Sequence, residues 1–139
     1  MSIEKFLETA PKKLTWLVGK GFTRVKELEK TSPTMTTLVY CGENVAFEFS
    51  LDVRDQCIDA EVIKVKCGQL LRNSDGGYSS DIFNHLVKYE GYRGSPTGEL
   101  VKSPGSSKLD QAIDGWISLI DTAGSTLISD HAGVFDKKS

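Results

Sequence analysis

The residues of this chain whose types and spacing could do chemistry are concentrated between positions 47 and 68, FEFSLDVRDQCIDAEVIKVKCG. Two runs in this stretch alternate apolar and polar residues, which predicts two β-strands joined by a short polar turn. The side chains could form a catalytic acid–base pair, a metal site or a surface for a basic partner. The alternative without a function is the solvated side of a hairpin. The residues in question are Asp52, Arg54, Asp55, Asp59 and Glu61.

The spacing first tests a nuclease-type metal site. Such a site needs a carboxylate on one strand and an E-x-K pattern on the next, so that the acid and the lysine share a face. Glu61 and Lys64 are three residues apart, and residues three apart in a regular strand point to opposite faces. The spacing therefore argues against this metal site, and we expect neither a metal nor another cofactor.

Acid–base catalysis is the second possibility for the hairpin. Asp52 and Asp59 are expected to lie near each other across a turn that Asp55 and Gln56 close. Two neighbouring carboxylates can exchange protons when burial separates their pKa values. Next to a tight turn we expect them to be solvated instead, with Arg54 offering a surface ion pair of little energetic value. A binding surface or a plain solvated face is therefore favoured over catalysis.

The distribution of charge indicates either an acidic patch for a basic partner or a plain solvated face. The 139 residues carry a net charge of −2, which argues against a general nucleic-acid binder, because such proteins need a basic face. Residues 43–61 nevertheless hold six acids and one base, whereas residues 1–30 hold seven bases and four acids. A chain that separates charge in this way can present an acidic patch to a basic partner.

The two histidines are candidates for acid–base or metal chemistry, since neutral imidazole is a base and a ligand near pH 7. His85 lies beside the apolar stripe of a short predicted helix, and His131 lies near the chain end. Neither belongs to an H-x-H or H-x-x-x-H pair, so no metal motif supports them. The alternatives are a boundary residue of the helix and a residue of a frayed end.

The cysteines and the absence of other motifs narrow the function further. Cys41, Cys57 and Cys67 are odd in number and include no CxxC, unlike a disulfide framework or a zinc motif. Reduced thiols are typical of the cytoplasm. The N-terminal residues lack the apolar segment of a signal peptide, and no apolar run approaches the ~18 residues that span a membrane. We therefore expect a cytoplasmic protein without membrane contacts.

Tyrosine and arginine residues cluster around the short predicted helix and its flanking loops. Interfaces favour both side chains at their energetic centres. Tyr78, Tyr92 and Arg93 are therefore predicted partner-binding residues, together with the acidic hairpin; Arg72 and Tyr89 belong to the same cluster. The alternative is that the tyrosines cover the edge of the core.

The elements that must position these residues follow from hydrophobic periodicity. Three- and four-residue steps predict a helix over 2–18, which Ser2 caps. Pro11 either kinks this helix or begins a second one after a break near Thr9. From Gly21 onwards a period of two predicts an antiparallel meander of four strands. These strands are assigned to residues 22–29, 35–41, 45–53 and 57–67.

The last strand and the residues after it carry further signals. The apolar positions change face at Val62 and Ile63, which predicts a β-bulge or a strand end that is buried on both faces. Residues 72–80 are then predicted to form a loop, and residues 81–90 a short helix. A long loop over 92–106 precedes an amphipathic helix from Leu109 to Leu127, with a capping-box-like pattern from Ser107 to Asp110.

Together these elements predict one α+β domain over residues 1–139. It consists of a four-stranded antiparallel meander flanked by an N-terminal helix and two C-terminal helices packed on one face. A pairing of two copies through an exposed strand edge, such as residues 22–29, is left open.

Two functions fit such a fold. The first is a small cytosolic protein-binding module without chemistry of its own. A bacterial immunity protein or inhibitor that covers a basic toxin through its acidic surface would be of this type. The alternative is a small enzyme or ligand-binding domain with a pocket between the sheet and the loop 92–106. His85 would be its acid–base group, with Cys41 or Asp52 beside it.

Overall fold

Two short helices open the chain. The computed structural model describes residues 2–66, 68–72, 77–89 and 108–129. Helix α1 covers Ile3–Lys13 and helix α2 covers Thr15–Gly19. As expected, Ser2 caps α1, because its hydroxyl accepts a hydrogen bond from the Lys5 backbone N–H at 3.2 Å.

The break between α1 and α2 does not lie just before Pro11, where the poor helix-forming tendency of proline would place it. Helix α1 continues through Pro11, so the predicted break near Thr9 is wrong. The chain instead turns at Leu14, where ψ is 0°, and Leu14 is buried in the core. Packing of the apolar face of α1 therefore outweighs the single backbone hydrogen bond that a proline removes.

Three long strands form the centre of an antiparallel sheet and confirm the corresponding predictions to within one residue. Strand β2 covers Met35–Cys41, β3 covers Val45–Asp52 and β4 covers Cys57–Lys66. The β3–β4 register is continuous from Val45 opposite Lys64 to Asp52 opposite Cys57. Residues 53–56 form the turn between these two strands. Every residue of β3 thus has a fixed partner, which determines which side chains share a face.

The predicted strand over 22–29 is mostly wrong. Strand β1 covers only Thr23–Arg24, and a 3₁₀-helix follows at Lys26–Leu28. The Glu29 carboxylate explains the difference, because its Oε2 accepts the Val39 backbone N–H at 3.0 Å and the Arg24 Nε–H at 2.9 Å. A side chain satisfies the strand edge here, so the backbone need not pair with it.

Two short strands extend the sheet beyond the four that were predicted. Strand β5 covers Gln69–Leu71 and β6 covers Ser79–Asp81; both pair antiparallel with β4. Strand β6 lies at the end of the predicted loop 72–80. The sheet is therefore six-stranded, in the order β1-β2-β3-β4-β5 with β6 also paired to β4, and the simple four-stranded meander is corrected.

The phase switch at Val62 and Ile63 marks a strand end that is buried on both faces. The continuous pairing of β4 with β3 leaves no room for the alternative, a bulge. Val62 belongs to the main core, whereas Ile63 belongs to a smaller apolar cluster with Ala46 and Val65 on the opposite face. All of these side chains are at most 6% exposed.

The helices after the sheet are α3, Ile82–Tyr89, α4, Leu109–Ala123, and α5, Ser125–Ile128. The predicted helix 81–90 is confirmed within one residue. The long helix to Leu127 is divided at Gly124, where a Cβ atom would lie 2.9 Å from the Ile120 carbonyl oxygen. None of the described helices combines the length and the apolar composition that crossing a bilayer requires.

One main core joins the helices to the sheet, as an α+β architecture requires. Side chains of α1, α3 and α4 pack in the same buried cluster as alternate residues of β3 and β4. Each fully buried large apolar side chain contributes about 1.5–3 kcal/mol to folding. Representative members are Phe6, Leu14, Phe47, Phe49, Leu51, Ile58, Leu86, Trp116 and Ile120.

Trp116 connects helix α4 to the edge of β4. The Lys64 N–H donates to the Tyr78 carbonyl on the β6 side, so alternate backbone groups of β4, including those of Ile58, point away from β3. Pairing with β6 ends at Glu61, so no described strand reaches the Ile58 carbonyl. The Trp116 indole Nε1–H donates to it at 2.8 Å in a buried position. A side chain of α4 thus provides the hydrogen bond that a neighbouring strand would otherwise give to this carbonyl.

Replacement of Trp116 by Phe should therefore destabilise the protein beyond the loss of ring size. Phenylalanine retains an aromatic ring but leaves the buried Ile58 carbonyl without its donor, which costs about 1–3 kcal/mol. Chemical unfolding followed by far-UV circular dichroism measures this loss. Trp16→Phe is the matched control, because Trp16 is half-buried and makes no indole hydrogen bond with the described residues. Equal losses in the two variants would contradict the role of the indole N–H.

Candidate protein-binding surface

The turn of the β3–β4 hairpin is held by its own polar groups. Asp52 Oδ1 accepts the backbone N–H of Arg54 at 2.9 Å and that of Asp55 at 3.2 Å. Gln56 adopts a left-handed backbone with φ of 51°, and its side-chain amide donates to the Val53 carbonyl at 2.7 Å. An Asx turn followed by a left-handed residue reverses the chain within four residues. The turn is therefore preorganised in the free protein.

This turn brings together four of the predicted site residues. Arg54, Asp55 and Asp59 are exposed, and Asp52 is half-buried because one of its oxygens caps the turn. Asp52 lies opposite Cys57, and Asp59 lies opposite Ser50, so the two carboxylates share a face as diagonal neighbours. We refer to Asp52, Arg54, Asp55 and Asp59 as the acidic tip. The expected ion pair of Arg54 is absent from the described residues.

The Cys57 thiol lies among the carboxylates of the acidic tip, and their charge affects its pKa. Burial raises the pKa of this thiol, and the negative charges of Asp59, Asp52 and Asp55 raise it further. The thiol also donates to the Asp59 carboxylate, with Sγ 3.8 Å from Oδ2. By contrast, burial alone raises the pKa of the Cys41 thiol. The carboxylates of the tip thus act together on a group placed among them.

Glu61, the fourth predicted acid of the hairpin, belongs to a different cluster on the same face. It lies directly opposite Glu48, and Arg72 bridges the two side chains. Arg72 Nη1 is 3.2 Å from Glu61 Oε2, and its Nη2 is 2.8 Å from Glu48 Oε2. Glu48 is 15% exposed, so a cation is needed beside it to offset the repulsion between two opposed glutamates.

A cleft of about 430 Å³ lies beside Arg72, where the segment before β2 curves towards this face of the sheet. Two threonine hydroxyl groups at this cleft form hydrogen bonds with nearby protein groups. Thr31 Oγ1 lies 2.8 Å from Thr36 Oγ1, and Thr37 Oγ1 accepts the Lys30 N–H at 2.8 Å. Both signs of charge border this space. The lining residues are Lys30, Thr31, Ser32, Met35, Thr37, Glu48 and Arg72.

The Tyr78 side chain packs against the main core and is not part of the acidic tip. Its ring packs against the main core and meets His85 edge-on, with 5.3 Å between the ring centroids. The Tyr78 hydroxyl lies 2.7 Å from His85 Nδ1, and His85 is fully buried. This arrangement matches the alternative that the tyrosine covers the edge of the core. His85 is therefore a core residue and not the boundary residue of the helix that was the alternative from the sequence.

The remaining predictions fall on residues that are not described. Tyr92, Arg93, His131, Cys67 and the loop 92–106 lie outside the described residues. Within the described ranges, no group of three or more His, Cys, Asp or Glu side chains could hold a metal ion.

The common site of Arg72 and Glu48 was not predicted from the sequence. The signal was present, because a turn over 53–56 fixes the hairpin register and so places Glu48 opposite Glu61. Two opposed carboxylates on a half-buried face indicate a nearby cation. The identity of that cation depends on β5, which the sequence did not predict.

Comparison with known proteins adds no further assignment. No family model matches the chain, and neither the curated proteins nor the solved structures give a significant match to it.

Loss of the Arg72 guanidinium should destabilise the sheet through the two opposed glutamates. We expect Arg72→Gln to lower the free energy of unfolding by about 0.5–1 kcal/mol at low salt, because Glu48 and Glu61 then repel each other. The loss should shrink at high salt, where the repulsion is screened. Adding Glu61→Gln should recover most of it. Lys13→Gln, which removes an exposed ion pair with Asp114, is the control, and failure of Glu61→Gln to rescue would contradict this account.

The thiol of Cys57 should become more reactive when the tip loses charge. The thiolate is the nucleophile, so a raised pKa slows alkylation near neutral pH, and the rate should rise as the pH rises. Asp59→Asn removes one cause of the raised pKa and should speed iodoacetamide labelling of native Cys57 at about pH 8, close to the ordinary pKa of a thiol. Cleavage by trypsin after Arg54, Lys64 and Lys66 separates the three cysteines for mass spectrometry.

Cys41 provides the internal control for this measurement, because only burial raises the pKa of its thiol. Its labelling rate should be the same in both proteins. A faster rate at both cysteines would indicate a loosened fold, and no change at Cys57 would show that Asp59 does not act on the thiol.

Proposed function

We propose that this protein is a small protein-binding module that presents the acidic tip to a basic surface of another protein. An inhibitor that covers a basic toxin or enzyme, in the manner of an immunity protein, is the type that fits best. The observation that carries the proposal is the preorganised turn, in which Asp52 accepts two backbone N–H groups while Arg54 and Asp55 remain exposed.

A fixed turn supports binding because it lowers the entropic cost of association. Association costs free energy for the ordering of loops and, at about 0.5–1.5 kcal/mol each, for the immobilisation of side chains. A turn that is already ordered avoids the cost of loop ordering. The left-handed Gln56 and its bond to Val53 contribute to this order. The charged side chains are thus displayed from a rigid base.

Electrostatics supplies the second part of the argument. Burial raises the pKa of the Cys57 thiol, and the nearby carboxylates of Asp59, Asp52 and Asp55 raise it further, as a local concentration of negative charge would. Such a patch speeds association with a basic surface and pairs with its Lys or Arg side chains. Against a nuclease-like toxin, the carboxylates would occupy the positions of substrate phosphates.

The alternative of an enzyme that uses His85 gains no support from the described residues. His85 is buried in the core, and its Nδ1 is hydrogen-bonded to the Tyr78 hydroxyl. A general acid or base must reach the substrate directly or through one water molecule. The pocket of that alternative would need the loop 92–106, which is not described.

A charge-neutral tip should lose the partner while the fold remains intact. In the triple variant Asp52→Asn, Asp55→Asn, Asp59→Asn, the amide introduced at position 52 retains a side-chain oxygen to cap the turn, so thermal stability should change little. We expect affinity capture from the native host, followed by mass spectrometry, to recover a basic protein with the wild-type chain. The variant should recover at least about tenfold less of it, which corresponds to the loss of roughly 1.4 kcal/mol of binding free energy. The wild-type interaction should weaken as salt is raised.

A second variant separates the position of the charges from their number. Glu4 and Glu8 are exposed on α1, and Glu27 is exposed in the 3₁₀-helix after β1; replacement of all three by Gln changes the net charge by the same amount. This control should retain the partner. Retention by the tip variant would overturn the proposal, and equal loss in both variants would reduce it to non-specific charge attraction.

A further inference from the structure

Serine precedes proline unusually often in this chain. Of its four prolines, three directly follow a serine, at Ser32–Pro33, Ser95–Pro96 and Ser103–Pro104. Serine followed by proline is the pattern that proline-directed kinases accept, because the ring and the missing N–H distinguish proline from every other residue. The first of these dipeptides lies within the described residues.

Ser32 is well placed to receive a phosphoryl group. It begins the turn before β2, where its N–H donates to the Met35 carbonyl at 2.8 Å, and residues 31–35 are all exposed. Its hydroxyl makes only long contacts, at 3.4 Å from the Thr34 N and 3.5 Å from the Met35 carbonyl oxygen. The hydroxyl oxygen is therefore accessible and weakly bonded.

Two cations border the same cleft as Ser32. The Lys30 ammonium is exposed and makes no ion pair among the described residues, and Arg72 also lines this space. Arg72 uses Nη1 and Nη2 for Glu61 and Glu48, and a guanidinium has about five N–H donors in all. Among the described lining residues, Glu48 is the one acid and so the one charged group that would oppose an anion.

We propose that Ser32 is a phosphorylation site and that Lys30 and Arg72 hold the phosphate. In the transfer from ATP, Ser32 Oγ forms a bond to the γ-phosphorus, the bond from that phosphorus to the β-phosphate oxygen breaks, and ADP leaves. The hydroxyl proton passes to a base of the kinase. The product adds a charge of about −1.5 to −2 and three acceptor oxygens.

The new phosphate competes with Glu48 for Arg72. Charge-assisted bonds from arginine to phosphate are strong and often bidentate. Arg72 turns towards residue 32, and the opposed pair Glu48–Glu61 loses part of its neutralising charge. Phosphorylation is thus coupled to the polar cluster around Arg72 and is independent of the proposed role of the acidic tip.

The first test asks whether the folded chain accepts the phosphate. The purified protein is incubated with ATP and a proline-directed serine kinase of the cyclin-dependent class, and occupancy at each serine is measured by peptide mass spectrometry. We expect modification of Ser32, and its loss in Ser32→Ala without change at Ser95 or Ser103. Modification at Ser95 or Ser103 with none at Ser32, or no modification at all, would overturn the proposal.

The second test asks whether the cleft holds the phosphate. Phosphoserine is introduced at position 32 by genetic code expansion, and its second pKa is measured by ³¹P NMR in the folded chain and in urea. Neighbouring cations stabilise the dianion, so folding should lower this pKa by about half a unit. Arg72→Gln and Lys30→Gln should each reverse part of the shift, whereas Lys20→Gln, an exposed lysine away from the cleft, should not. An unshifted phosphate, or equal effects of all three variants, would overturn the proposed role of Lys30 and Arg72.

Discussion

The register of the β3–β4 hairpin is the constraint on which the rest of the structure depends. A four-residue turn places Asp52 opposite Cys57, and every later pair follows from that one. Because side chains alternate along a strand, a slip by one residue would move Phe47, Phe49 and Leu51 out of the core. Asp52 and Gln56 hold this turn with three hydrogen bonds of their own. Asp52 of the acidic tip and the neighbouring Gln56 thus help to set the register of the sheet.

The same register places two glutamates opposite each other, and a residue outside the hairpin offsets their repulsion. It sets Glu48 against Glu61, and Arg72, directly after β5, supplies the cation between them. The sheet edges are handled in a similar way, since Glu29 accepts a β2 N–H and Trp116 donates to a β4 carbonyl. Side chains from outside the central strands therefore satisfy groups that the meander leaves open, which allows a short edge strand such as β1 to end after two residues.

The sequence was informative where structure is local and periodic, and less so elsewhere. Alternation predicted β2, β3 and β4 to within one residue, because half-buried strands need it. It overestimated the strand at 22–29, since the alternating pattern cannot show that Glu29 will replace backbone pairing with a side chain. The site divides along the same line. The residues of the tip are neighbours in sequence, and their proximity at the turn was predicted, whereas the cluster around Arg72 joins residues 24 positions apart and was not predicted.

The arrangement of charges at the acidic tip supports the proposed binding surface. A merely solvated face can relieve repulsion by pairing its charges, and Arg54 is available within the turn, yet it forms no ion pair with the described residues. The three aspartates are instead close enough to act on one thiol together. No ion pair among the described residues neutralises these three charges. In the proposed complex these charges would attract a basic surface, and the rigid turn would need little ordering on binding.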